Sequence, residues 1–152
     1  TDNRFYQVHD LKTQINEICN KPIINTIVGA EPIGPQKLLD VVVVAPATGN
    51  TIAKLAHGIV DTPALMAVKA HLRNQRPVVI AISTNDALGI NARNIGLLIN
   101  MKNIYFVPFR QDDPFNKCNS LVASMDKLLD TVVCALQGKQ LQPVLLGPNS
   151  VC

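Results

Sequence analysis

Two short polar segments each follow directly on an unbroken apolar run, and chemistry would sit at those junctions. The first is Ala45-Pro46-Ala47-Thr48-Gly49-Asn50-Thr51, after Val41 to Val44. The second is Ser83-Thr84-Asn85-Asp86, after Pro77 to Ile82. Small residues such as Ala47 let a planar ligand approach the backbone, while Thr48, Asn50 and Thr51 supply donors and acceptors. Backbone N–H groups at the start of a following helix can receive an anion. The same residues suit helix capping, and spacing alone does not choose between a Thr48/Asn50 cap and a bound ligand. Asp86, beside Asn85, is a carboxylate that could accept a proton or orient a ring nitrogen. It could equally cap the next turn. A polar run straight after a buried strand favours the site role.

Other reactive side chains are scattered. His9, His57 and His71 share no metal-ligand spacing, and His57 and His71 read as surface or helix-end residues. Cys19, Cys118, Cys134 and Cys152 form no C-x-x-C pair, so neither a zinc site nor a disulfide framework is expected. Isolated thiols fit a reducing cytoplasm. Lys54 is expected on the exposed side of its helix.

The elements that must position the two segments are legible from periodicity. With 152 residues the chain is read as one domain, residues 1–152, whose last stretch, 140–152, is an extended tail. Fourteen basic and eleven acidic side chains are interspersed, giving a net charge of +3, which is a solvated surface and not a nucleic-acid footprint. Helices are predicted from Asp10 to Cys19, Asn50 to His57, from Pro63 onward behind a Thr62 or Asp61 cap, and near Ala92 to Asn100. Strands are predicted at Pro22 to Val28, Val41 to Val44, Pro77 to Ile82 and Ile104 to Val107. The Val41–Val44 run does not alternate, so both its faces are expected to be buried. Ser120 is expected to cap a long helix with Leu121, Met125, Leu128, Leu129, Val132 and Leu136 on its buried face. Strands separated by helices argue for α/β with a mostly parallel sheet, in which ligands bind beyond the C-terminal strand ends. Such a domain ordinarily opens with a strand and a Gly-rich phosphate turn. Neither is visible here, so an upstream part of the fold, including its N-terminal strands, is expected to lie outside this chain.

The segment from Ala45 to Asp61 resembles the P-A-x-A-N-T segment of the flavoprotein family of homo-oligomeric FMN-containing cysteine decarboxylases. Gly49 stands where that family ordinarily has Ala. Over nearly the whole chain the resemblance is closer to the family's branch of B-subunits that serve dipicolinate synthesis. It is carried by Thr1-Asp2-Asn3-Arg4-Phe5, Ala30 to Pro35, Ile82 to Gly89, Lys102 to Phe109 and Gln111 to Phe115.

The resemblance implies a Rossmann-like or flavodoxin-like three-layer sandwich and FMN as cofactor. It implies oligomers and a partner, the dipicolinate synthase A-subunit, that carries NAD(P). The implied reaction is oxidation of dihydrodipicolinate, or its hydrated precursor, to dipicolinate in the cytoplasm of a spore former's mother cell. On that reading Asn85 and Asp86 are the candidate catalytic residues. Ala47, Thr48, Asn50, Thr51, Ser83, Thr84 and Phe5 line the cofactor, and Phe5 reads equally as plain packing. Arg4 and Arg110 suit a dicarboxylate substrate, because guanidinium matches carboxylate bidentately, and each reads equally as an ordinary surface residue. Asp112-Asp113 is a poor contact for a dianion and reads as a loop or intersubunit contact. The decarboxylases' catalytic His has no counterpart: the Pro22–Val28 segment offers Asn25, which cannot shuttle a proton. Cysteine decarboxylation is therefore not expected. The alternative is a non-catalytic assembly protein with a vestigial flavin site.

Overall fold

The computed structural model describes residues 8–147. Three strands form its parallel centre: β1 (Val42–Ala47), β2 (Val78–Thr84) and β3 (Ile104–Phe106). β2 lies in the middle, pairing Val42–Val78 and Ile80–Phe106 in parallel register with its two neighbours. The strands advance in one direction across the sheet, so right-handed crossovers must all fall on one face. They do: α3 (Gly49–Ala56), α4 (Pro63–Leu72) and α5 (Ala92–Ile99) pack Ile52, Val68, Ile95 and Leu98 against Val78, Ile80, Ile82 and Phe106. The opposite face carries Val79, Ala81 and Val107 under Leu128, Val132 and Ala135 of α6 (Leu128–Leu136). Helices on both faces of a largely parallel sheet make the expected three-layer α/β sandwich.

Two very short strands extend the sheet in antiparallel fashion. β5 (Leu121–Ala123) pairs with the end of β2 through Ser83–Val122 and Thr84–Leu121, and β4 (Phe109–Arg110) pairs with β5. The segment expected to be the first turns of a Ser120-capped helix is therefore β5. Its alternating burial is the period of a strand, and it meets the unpaired end of β2. The helix begins only after a 3-10 turn at Met125–Lys127.

Two further expectations are corrected. Pro22 to Val28 is no strand. The chain runs irregularly to Thr26, whose hydroxyl accepts from Gly29 N at 3.0 Å and caps the single turn α2 (Ile27–Ala30). A local cap outweighs the β-branched composition, since no sheet partner reaches this segment. Nor is Val41 to Val44 buried on both faces. Among the described residues β1 is an edge strand, and α6 leaves Val43 39% exposed. The first helix, α1 (Val8–Cys19), falls where periodicity placed it, with Leu11, Ile15 and Ile18 exposed.

Of the expected C-terminal tail, the described residues 140–147 are anchored along β3 and β4. Phe109 N donates to Val144 O, and Leu146 N donates to Phe109 O. Gln140 bonds the backbone of β3 twice: Oε1 accepts from Phe106 N at 2.8 Å, and Nε2 donates to Phe106 O at 2.7 Å. No helix among the described residues is long and apolar enough to cross a membrane.

Candidate functional site

The site is built by the ends of β1 and β2. Pairing of β1 with β2 skips Ala45 and Pro46 and resumes at Ala47–Ile82. Proline cannot donate to a ladder, so the irregularity falls where it costs least. It leaves Ala47 buried and Thr48 at the N-cap of α3. Thr48 Oγ1 accepts from Thr51 N at 3.4 Å and lies 3.1 Å from Thr51 Oγ1. Of the two open readings for Thr48, the cap is thus realised. Asn50 stands exposed in the first turn and makes no side-chain hydrogen bond among the described residues. Ser83, half-buried, and Asn85, exposed, likewise make no side-chain hydrogen bond among the described residues.

The second loop is ordered by Asp86. Its Oδ1 accepts from Ile90 N at 3.3 Å, and its Oδ2 accepts from Asn91 Nδ2 at 2.9 Å. Asp86 N in turn donates to Thr84 Oγ1 at 3.3 Å. Both carboxylate oxygens therefore hold the loop, which is the capping alternative.

Asn91 and Asn94 are residues that sequence reasoning missed. Both are buried, and Asn94 Nδ2 donates to Asn91 Oδ1 at 2.8 Å. A signal existed. Asn91 and Asn94 fall at helical spacing with Ile95 and Leu98, on the face of α5 that enters the core, where a polar side chain needs partners.

The two loops meet at Gly49. A Cβ there would lie 2.7 Å from Thr84 Oγ1 and 2.8 Å from Asn91 Nδ2. That close approach is the physical reason for glycine at a position where the resembled family has alanine. The cap, the glycine and the Thr84–Asp86–Asn91 group together hold loop 45–51 against loop 83–91.

The remaining candidates fall elsewhere. Arg110 lies on β4 in the sheet row Ser83–Val122–Arg110, two strand spacings, about 10 Å, from Ser83. Its Nη2 donates to Ser124 Oγ at 2.8 Å. Arg4 and Phe5 lie outside the described residues. Lys54 is engaged by Asp61 at 2.5 Å. Asp112 pairs with Lys117 at 3.1 Å, and the Ser120 hydroxyl, followed by Lys117, holds its carboxyl below the ordinary range. Asp113 instead accepts from Asn116 N at 3.1 Å. The two are therefore bonded separately as loop residues. His57 ends α3 and is exposed, but His71 is only 1% exposed, which corrects its expected surface position. It lies on the same side of α4 as Leu65 and Val68, so helical spacing carries it inward. No cluster of metal-ligating side chains occurs among the described residues.

With the geometry in place, three comparisons bear on it. A family model described as Flavoprotein matches residues 4–137. The B-subunit of dipicolinate synthase from Bacillus subtilis (strain 168) is 51% identical over 146 residues, spanning 96% of this chain and 73% of that protein. The crystal structure of the dipicolinate synthase B-subunit from Bacillus halodurans C superposes with a TM-score of 0.91 at 50% identity, over 98% of this chain and 76% of the other. The crystal structure of the FMN-dependent cysteine decarboxylase SpaF gives a TM-score of 0.60 at 22% identity, over 83% and 71% of the two chains, a likeness of fold.

Proposed function

The chain belongs to the Flavoprotein family, and from that premise we propose that it is the flavin-holding component of a two-component dipicolinate synthase. In this reading it works with the enzyme's A-subunit, which carries NAD(P), in the cytoplasm of a sporulating mother cell, and it forms homo-oligomers. The substrate is dihydrodipicolinate or its hydrated precursor. Removing two electrons and two protons aromatises the ring, and the hydrated form also loses water.

The observation that carries the reading is the meeting of the two loops at Gly49, beyond the C-terminal ends of β1 and β2. Ligands of open α/β sheets bind at such a place. The residues fit the ring of a flavin. Ala47 and Gly49 admit a flat molecule, and Asn50, Ser83 and Asn85 offer uncommitted amide and hydroxyl groups for a polar ring edge. A bound flavin would supply a two-electron acceptor. Thr48 and Thr51 hold the turn that presents Asn50, while Thr84 orders the second wall. Asn85 orients the substrate or an attacking water by hydrogen bonds from its amide, since the amide itself takes up no proton. Asp86 supplies fixed negative charge behind it. Arg110, in the row of Ser83, is the guanidinium for a substrate carboxylate.

An assembly protein with a vestigial flavin site is the second reading. It is favoured by the commitment of both Asp86 oxygens to the loop itself. Titration of the chain with FMN, alone and with the A-subunit present, followed by visible absorbance and fluorescence, addresses the flavin. Saturable binding, with loss of dihydrodipicolinate oxidation in an N50A/N85A variant of the complex, is the expected result. Full activity of that variant would sink the catalytic reading and leave assembly.

A further inference from the structure

We propose that Asn91 is the positioning residue that locks the two walls of the site together, through a polarised chain running from Asn94 to Asn91 to Asp86. The proposal takes from the flavin reading only what the site holds; the lock itself rests on contacts. An ionised carboxylate can only accept, so Asp86 obliges Asn91 to point its amide nitrogen toward it. That orientation turns the Asn91 oxygen toward Asn94, which donates to it at 2.8 Å. The chain ends there: Asn94 is 2% exposed, and its Oδ1 has no partner among the described residues. Leaving a buried acceptor unpaired is unfavourable, so the arrangement is held by what it achieves at the other end.

At that other end Asn91 Nδ2 bonds one loop and packs closely against the other. It donates to the carboxylate of the second loop and lies 2.8 Å from where a Cβ on Gly49 of the first would stand. Thr84 Oγ1 closes on the same point from the other side, at 2.7 Å. Loop 45–51 and loop 83–91 are therefore registered against one amide group. That group belongs to buried Asn91, the N-cap of α5, where loop 83–91 ends.

The test uses the full chain in complex with the A-subunit. N91A, N91D and the swap D86N/N91D are compared by amide hydrogen exchange and by FMN titration. N91A is expected to raise exchange in both segments, 45–51 and 83–91, and to weaken FMN binding about tenfold. N91D is expected to be worse, because it sets one carboxylate against another. The swap puts a donor opposite an acceptor again with the polarity reversed, and is expected to recover most of the difference between N91D and wild type. A role in mere space-filling would not depend on that polarity. The lock is overturned if N91D is no worse than N91A, or if exchange rises only around residue 91 while 45–51 stays protected. Far-UV circular dichroism at the same temperature shows which variants are folded. Should N91D not fold, the exchange of 45–51 in N91A decides. FMN binding to no form, wild type included, would remove the flavin reading, and the exchange pattern would still judge the lock.

Discussion

At the scale of single residues, the site depends on one missing methyl group. G49A would drive a Cβ into Thr84 Oγ1 and Asn91 Nδ2, and both atoms are tied by hydrogen bonds and cannot swing away without breaking them. The substitution is expected to cost about 1–3 kcal/mol, as overpacking does, and to lower the thermal midpoint with FMN affinity falling in parallel. A midpoint unchanged in differential scanning calorimetry would show that the loops have slack. How much of this was legible varies by residue. Thr48, Gly49, Asn50 and the Ser83–Asp86 run stood out because polar residues directly after an apolar run have few other reasons to be there. Asn91 and Asn94 did not, because their spacing joins the apolar stripe of a helix. Asn91 bonds Asp86, five positions back, Asn94 bonds Asn91, and the room for Asn91 is left by a glycine on another loop.

At the scale of elements, the strands of the parallel centre were readable and the short antiparallel ones were not. β1 and β2 declare themselves by consecutive Val and Ile, and β3 by the apolar run Ile104-Tyr105-Phe106. β4 and β5 have two and three residues and exist only because the end of β2 offers them a partner. A pattern along one segment cannot report a partner supplied from another. The same limit hid the role of Gln140, whose side-chain amide copies the donor–acceptor pair of a neighbouring strand along β3. Q140A is expected to cost about 1–2 kcal/mol and to raise amide exchange at Phe106 by roughly tenfold. Replacement that leaves the Phe106 amide as protected as before would mean that other contacts close this edge.

At the scale of the whole molecule, layer order and the face taken by each crossover followed from chain direction. The uncovered side of β1 did not, because a run of valines reads the same whether one face is covered or two. The buried His71 gives stability a dependence on pH. Burial, and then the positive charge of Arg76, push its pKa below 6.5, outweighing the Pro77 carbonyl that favours the charged ring. The unfolded chain therefore takes up its proton first as pH falls. Stability from this group is complete above pH 6.5 and declines below it, until the folded form also protonates. Urea midpoints are expected to drop on acidification from pH 7.5, and H71L is expected to lose this part of the slope. Parallel slopes in the two proteins would assign it to other groups. The central place of β2 has a kinetic side as well. Its partners Val42, Ile104 and Val122 are all distant along the chain, so pairing must close large loops before any ladder bond repays the entropy. Loops 45–51 and 83–91 both hang from the β1–β2 pairing, so a chain in which β1 has not yet met β2 lacks the close approach at Gly49.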